Sequence, residues 1–105
     1  MSQWHPVGAV SEIIPDKGKY IEFGEKEIAL FQINGSFFAI DNRCPHRGGP
    51  LFRGALEGGP SIRCPLHGWL FDLKNGQCLN QSEVKLVSYA VKVDKDKIYI
   101  CMESS

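Results

Sequence analysis

The sequence predicts an all-β fold, an antiparallel sandwich or barrel formed by a single domain over residues 1–105. Short runs rich in Ile, Phe, Leu and Tyr alternate with turn signals about every ten residues, a pattern typical of such folds. No window longer than about ten residues carries a convincing helical stripe, and proline interrupts most candidates. A chain of 105 residues also has the length of one domain.

Five apolar runs are the predicted strands. They are residues 19–23, 27–33, 36–40, 88–93 and 97–100. Asn34-Gly35 predicts a tight hairpin between the second and third runs, because both central positions of the favoured turn need a positive φ. Residues 94–96 predict a second hairpin between the last two runs.

The segment from Asn42 to about Cys78 differs from the rest of the chain. It holds seven of the eleven glycines and four of the six prolines. We therefore expect a rigid, loop-rich subdomain inserted at one end, between the flanking strand pairs. Loops held by a rigid scaffold are where binding chemistry usually lies.

This segment contains two cysteine–histidine pairs, Cys44-Pro-His46 and Cys64-Pro-Leu-His67. Each pair offers a thiolate and an imidazole that lie almost side by side and can reach two metal atoms. This suits a two-iron cluster in which one iron takes both cysteines and the other takes both histidines. The pattern C-x-H-x17-C-x2-H resembles the signature of the Rieske [2Fe–2S] family.

The resemblance implies a Rieske-type antiparallel β-sandwich whose cluster-binding subdomain covers about 42–78. It implies one [2Fe–2S] cluster for each chain and one-electron transfer as the function. Cys44, His46, Cys64 and His67 are the expected metal and cofactor ligands. No catalytic residue is expected, because the chain alone would carry no substrate chemistry.

Two other interpretations of the four ligands stay open at this point. A single zinc ion also accepts two cysteines and two histidines, but zinc fingers normally place both cysteines in one knuckle and both histidines in the other. A disulfide between Cys44 and Cys64 would need an oxidising compartment, and no export signal is visible.

The resemblance to one branch of the family extends along nearly the whole chain. The runs CPHRGGPL from Cys44, GALEG from Gly54 and CPLHGWLFD from Cys64 look like the small subunit of assimilatory NAD(P)H-dependent nitrite reductase. This implies a large redox subunit as partner. The alternatives are a free Rieske ferredoxin that feeds a ring-hydroxylating oxygenase, and a cluster-free interaction module.

Two departures distinguish the chain from membrane respiratory Rieske proteins. Those proteins carry a disulfide between the ligand loops, at positions that correspond here to Gly49 and Leu66. They also carry hydroxyl side chains that hydrogen-bond the cluster, whereas the run after His67 has none. With fewer such bonds we expect a reduction potential near the negative end of the Rieske range, about −150 mV.

The residues around the pairs have predicted supporting roles. Gly48, Gly49 and Gly68 would let the backbone approach the cluster, and Pro50 would brace it. Four apolar side chains are expected to exclude water from it: Leu51, Leu66, Trp69 and Phe71.

Charge and composition limit the partners and the compartment. Twelve basic residues balance twelve acidic ones, which gives no support for nucleic-acid or membrane binding. The absence of a leader or spanning segment predicts a cytoplasmic protein. Cys78 and Cys101 are interpreted as small buried hydrophobic residues, and His5 as a surface residue that is not a ligand.

Overall fold

The computed structural model describes residues 2–45, 48–66 and 68–103, and strands dominate these ranges. They are β1 (Ser2–Ala9), β2 (Lys19–Phe23), β3 (Lys26–Ile33), β4 (Ser36–Asp41), β5 (Ala55–Leu56), β6 (Ser61–Arg63), β7 (Leu70–Asp72), β8 (Ser88–Tyr89), β9 (Val91–Asp94) and β10 (Lys97–Glu103). Single 3-10 turns cover Val10–Glu12 and Leu51–Arg53. The predicted all-β fold class is confirmed. Within the described ranges, no helix combines the length and the apolar composition needed to cross a bilayer.

The strands form three antiparallel sheets. Their orders are β1-β10-β9, β2-β3-β4-β8 and β5-β6-β7. The four-stranded sheet lies in the middle, because its two faces contribute to two separate apolar cores. Strand β3 shows this most clearly.

Strand β3 is apolar on both faces, which explains why its sequence is an almost unbroken hydrophobic run. Ile28 and Leu30 point into the core shared with Ile98 and Ile100 of β10. The alternate residues, among them Phe31, point into the other core. Successive side chains of a strand face opposite sides, so a strand that is buried on both sides cannot alternate with polar residues.

Strand β1 is absent from the sequence prediction, because Pro6 and Gly8 interrupt its apolar pattern. The strand pairs with β10 over its whole length, and the register shifts between Pro6 and Gly8. Proline is tolerated at such an irregularity and on an edge strand, since no ladder hydrogen bond is lost there. Only the long-range pairing with β10 reveals this element.

Both predicted hairpins are present, with one difference in the second. Asn34 and Gly35 have φ of 51° and 81°, as the tight turn requires. The second turn needs only Lys95 and Asp96, with φ of 49° and 69°. The predicted strand over 88–93 is in fact split, since β8 joins the middle sheet while β9 joins β10.

The segment that the sequence predicts to be loop-rich has a small sheet of its own. Strands β5, β6 and β7 are only two or three residues long, too short to show a period in the sequence. This unit packs on the middle sheet through the core that contains Phe31, Leu51 and Phe71. It also contains both cysteines of the two cysteine–histidine pairs.

Candidate metal centre

Cys44 and Cys64 begin two loops that share one hydrogen-bonding pattern. The N–H of Cys44 donates to the Gly49 carbonyl (3.0 Å), and the N–H of Gly48 donates to the Cys44 carbonyl (2.6 Å). In the second loop the N–H of Cys64 donates to the Trp69 carbonyl (2.7 Å), and the N–H of Gly68 donates to the Cys64 carbonyl (3.1 Å). Each cysteine therefore opens a hairpin that closes four to five residues later.

The last loop position of each hairpin favours glycine. Gly48 has φ of 71° and Gly68 has φ of 76°. This left-handed region is costly for residues with a Cβ, and it lets the chain turn back into the closing strand. Both glycines therefore shape their loops, while the predicted close approach of the backbone to a cluster stays a prediction.

The two hairpins are anchored in different ways. The second joins β6 to β7, where Arg63 pairs with Leu70. The first follows β4 and is closed by an isolated bridge between Arg43 and Pro50. Pro50 therefore lies at the base of the first loop, and its predicted bracing of the cluster stays a prediction.

The structure brings the two cysteines together in one buried cluster, although they are twenty positions apart in the chain. Cys44 is 1% exposed and Cys64 is 2% exposed, and both carry free thiols. His46 and His67, the other two predicted ligands, lie outside the described residues. The described residues on either side of each histidine belong to the two hairpins.

The environment of Cys64 is suited to a metal-bound thiolate. Burial raises the pKa of its thiol, and the nearby Cys44 side chain raises that pKa further, while a hydrogen bond from the Leu66 backbone N–H opposes both. Without metal the thiol therefore holds its proton, and metal binding would release it. A backbone N–H aimed at a sulfur is the kind of donor that surrounds sulfur ligands of iron–sulfur clusters.

Backbone also lies against this sulfur from the opposite loop. A Cβ built on Gly49 would be only 2.9 Å from Cys64 Sγ, closer than normal contact. The Gly49 backbone of the first hairpin thus faces both Cys64 Sγ and the Leu66 side chain of the second hairpin. Two buried thiols, an N–H donor and closely apposed backbone fit the cysteine half of a two-iron cluster.

Apolar side chains cover the thiols on the inner side. Leu51 and Phe71 are fully buried in the core that contains Cys44 and Cys64, and Trp69 packs against it. Leu66 differs, because 51% of its surface is exposed. Its predicted role in excluding water can therefore apply only on the side that faces Gly49, where its Cγ lies 3.1 Å from the ideal Cβ position.

Two arginines that the sequence prediction overlooked form part of the site. Arg43 and Arg63 each immediately precede one of the two predicted ligand cysteines, and this repetition was a visible signal. Asn42, which is 1% exposed, was also overlooked. Its side-chain oxygen accepts a hydrogen bond from the Phe52 N–H (2.9 Å) and so connects the segment that leads into the first hairpin to the 3-10 turn that follows the hairpin.

The two remaining cysteines are buried as predicted, whereas His5 is half-buried. Cys78 and Cys101 are buried, at 2% and 8% exposure. Cys78 shares the apolar core of the ligand cysteines, and Cys101 lies on β10. His5 lies on β1, where its ring packs against Phe23 with the centroids 4.4 Å apart.

A pair of buried thiols on matched hairpins, set at one end of a β-sandwich, is the arrangement of an iron–sulfur electron carrier. The family model described as a Rieske-like [2Fe–2S] domain matches residues 3–101, and the chain belongs to this family. It is accordingly a one-electron carrier with a Rieske-type [2Fe–2S] cluster.

Two similar proteins match this chain over most of both lengths. The chain is 39% identical over 92 residues to the 3-phenylpropionate/cinnamic acid dioxygenase ferredoxin subunit of Photorhabdus laumondii, covering 85% of this chain and 86% of that protein. The NMR structure of Escherichia coli NirD has a TM-score of 0.89 at 25% identity and covers 99% of this chain and 100% of that one.

Two further comparisons define the fold and the extent of the similarity. A structure described as an NADH-dependent nitrite reductase small subunit from Mycobacterium tuberculosis has a TM-score of 0.92 at 23% identity, with 100% and 99% of the chains covered, which shows the shared fold. Human apoptosis-inducing factor 3 is 36% identical over 81 residues, 76% of this chain, and the chain spans only 13% of that protein's length.

Proposed function

We propose that Cys44 and Cys64 bind one iron of the cluster, that His46 and His67 bind the other, and that the chain is the small electron-transfer subunit of an assimilatory nitrite reductase. The observation that carries the site assignment is the meeting of the two buried thiols on facing hairpins. The bound cluster supplies reversible one-electron chemistry.

The protein's own residues hold, orient and shield the site. The hairpins fix the directions in which the loops present their ligands, and each loop carries one cysteine and one histidine. The Leu66 N–H stabilises negative charge on Cys64, and the core residues around Leu51 and Phe71 keep water from the inner side of the thiols. The segment 42–78 is the unit that binds the cluster.

The nitrite reductase assignment is supported by chain-length matches and by the motifs around the ligands. The likeness to NirD covers both chains almost completely. A large subunit that carries a flavin and a sirohaem would be the partner. All four cysteines have free thiols, which supports a reducing compartment such as the cytoplasm.

A second candidate is a free ferredoxin that serves a ring-hydroxylating oxygenase. The 39% identity to a dioxygenase ferredoxin subunit favours it, since the match spans most of both chains. The chemistry of the site would be the same and only the partner would differ. Co-purification with a sirohaem flavoprotein supports the first candidate, whereas electron delivery to an oxygenase supports the second.

Electron paramagnetic resonance of the dithionite-reduced protein, with an iron and sulfide assay, tests the site assignment. We expect equal iron and sulfide and a rhombic signal whose average g value lies below that of all-cysteine clusters. Cys64→Ser should abolish both. Cys78→Ser is the matched control, since it is equally buried in the same core and should keep the cluster. Stoichiometric zinc without iron in the wild type would overturn the proposal.

A redox titration tests the expected potential. The described ligand loops contain no hydroxyl side chain, so we expect a value towards the lower limit of about −150 mV. A potential above about +100 mV would contradict the inference that few hydrogen bonds reach the sulfurs.

A further inference from the structure

We propose that Arg43 and Arg63 are positioning residues of the metal centre, each holding one ligand hairpin closed through the carbonyl of its last glycine. This inference rests on the ligand assignment proposed above. It concerns two arginines that are not themselves predicted ligands, and it assigns them the same task at equivalent positions of the two hairpins.

Arg43 spans the first hairpin from its base. Its Nη1 donates to the Gly48 carbonyl at 3.1 Å, and its Nε donates to Glu27 Oε1 at 2.9 Å. Glu27 belongs to β3 in the middle sheet, sixteen positions away in the chain. The guanidinium thus connects the loop to the most deeply buried strand of the protein.

Arg63 spans the second hairpin in the same way. Its Nη1 donates to the Gly68 carbonyl at 2.5 Å, while Nε and Nη2 both donate to the carboxylate of Glu57, the latter at 2.8 Å. The hydrogen bond from Arg63 lowers the pKa of Glu57, so this pair stays ionised in neutral solution. Glu57 directly follows β5 of the small sheet.

These contacts define a repeated unit. In each hairpin the arginine precedes the cysteine, the carbonyl that it binds lies five positions further on, and a glutamate from a neighbouring segment fixes its other edge. Only arginine has a planar fork that can serve two acceptors at once in fixed directions. A lysine would keep the charge but lose this geometry.

The carbonyl that each arginine holds controls a donor on the opposite side of the peptide. A trans peptide is planar, so fixing the Gly48 carbonyl also fixes the Gly49 N–H, which points the other way. Gly49 is the residue whose backbone lies against Cys64 Sγ. Arg43 therefore fixes the peptide that lies next to Cys64 Sγ, and Arg63 fixes the peptide between Gly68 and Trp69 in the second hairpin. Backbone dipoles close to the sulfurs tune the potential of iron–sulfur centres.

The ion pairs themselves should add little to the stability of the fold. The side chain of Arg43 is 61% exposed and that of Arg63 is 40% exposed, and exposed pairs are weak in water. Their effect is expected in the loops, where one carbonyl decides the local geometry. Arg63 has one more bond to its glutamate and is less exposed, so it should have the larger effect.

The test compares Arg43→Lys and Arg63→Lys with the wild type, all loaded with the cluster. The charge is conserved, so a shift in potential reports lost geometry and not lost charge. In both variants we expect a shifted potential, altered g values and about tenfold faster loss of iron to a chelator, and each effect should be larger for Arg63→Lys. The thermal unfolding temperature of the cluster-free protein should stay almost unchanged. Arg53→Lys is the control, because the Arg53 guanidinium lies over the Phe52 ring (5.2 Å to its centroid) and is not one of the two that hold a hairpin carbonyl.

The outcomes separate the two proposals. If the wild type gives the mixed-ligand signal but both lysine variants match it in potential, g values and iron release, the positioning role is overturned and the proposed function stands. If Arg53→Lys shifts the potential as much as the others do, the role is also overturned. If the wild type itself gives no mixed-ligand signal, the ligand assignment fails, and this inference fails with it.

Discussion

Joining the two ligand hairpins by an engineered disulfide would test their observed closeness. The double variant Gly49→Cys/Leu66→Cys places a thiol on each loop. A Cβ on Gly49 lies 3.1 Å from Leu66 Cγ, the position that the new sulfur would occupy approximately. Within a disulfide, the Cβ of one cysteine lies about 3 Å from the sulfur of the other, since the S–S bond is about 2.05 Å long. The observed distance is therefore the one that this bond needs.

The size of the effect follows from the length of chain that the bond closes. A loop of about 18 residues should stabilise the folded state by about 3 kcal/mol, chiefly by restricting the unfolded chain. The same Cβ lies 2.9 Å from Cys64 Sγ, so the Cys64 thiol must move slightly. Because of this strain we expect a net gain of about 2 to 3 kcal/mol.

The assay is urea unfolding of the cluster-free variant in oxidised and in reduced form. Comparing two redox forms of one protein cancels the steric effect of the new side chains. The expected result is a higher unfolding midpoint for the oxidised form, with peptide mapping that links positions 49 and 66. Gly49→Ser/Leu66→Ser is the matched control and should show no such difference. Equal midpoints, or a bond from either new cysteine to Cys44 or Cys64, would refute the placement of the loops.

Two further predictions concern the scaffold. Tyr89 donates a hydrogen bond to Asp41 Oδ1 at 2.6 Å, so Tyr89→Phe should lower the unfolding free energy by about 1 kcal/mol near neutral pH. Burial, and then Asp41, raise the pKa of Tyr89, so the phenol's contribution to stability is complete below pH 10.0 and declines above it as the unfolded chain ionises. The difference in unfolding free energy between wild type and variant, measured by urea titration, should therefore become smaller above that pH. A constant difference would contradict this cause. A Cβ on Gly76 would clash with the Leu86 carbonyl oxygen, whereas a Cβ on Gly35 would meet no atom within 4 Å, although the two glycines have similar φ (79° and 81°). Gly76→Ala should therefore lower the thermal unfolding temperature clearly more than Gly35→Ala, and equal decreases would show that only the φ matters.

Local features were predictable from the sequence because their causes lie within a few residues. Asn34-Gly35 forms its turn because of the φ preferences of these two residues. The nearly continuous apolar run of β3 is consistent with side chains that alternate between two cores. The ligand types were equally readable, since each cysteine–histidine pair is contained in one short loop. The glycine after each histidine follows from the turn that the loop must make.

Features that depend on distant parts of the chain were decided only by the tertiary structure. Strand β1 exists because β10 offers it a partner, despite Pro6 and Gly8. The run over 88–93 divides because its two halves meet different sheets, a choice that no local pattern records.

The candidate metal centre shows the same division. The sequence by itself predicted the ligand chemistry and a loop-rich segment that holds both cysteine–histidine pairs. The packing of the small sheet on the middle sheet decided whether Cys44 and Cys64 share one buried cluster. The hydrogen bond that Arg43 donates to Glu27 likewise joins residues sixteen positions apart in the chain. Burial and side-chain pairing between sheets arise only where surfaces meet in the folded chain. The sequence prediction therefore overlooked Arg43 and Arg63, although each directly precedes a predicted ligand.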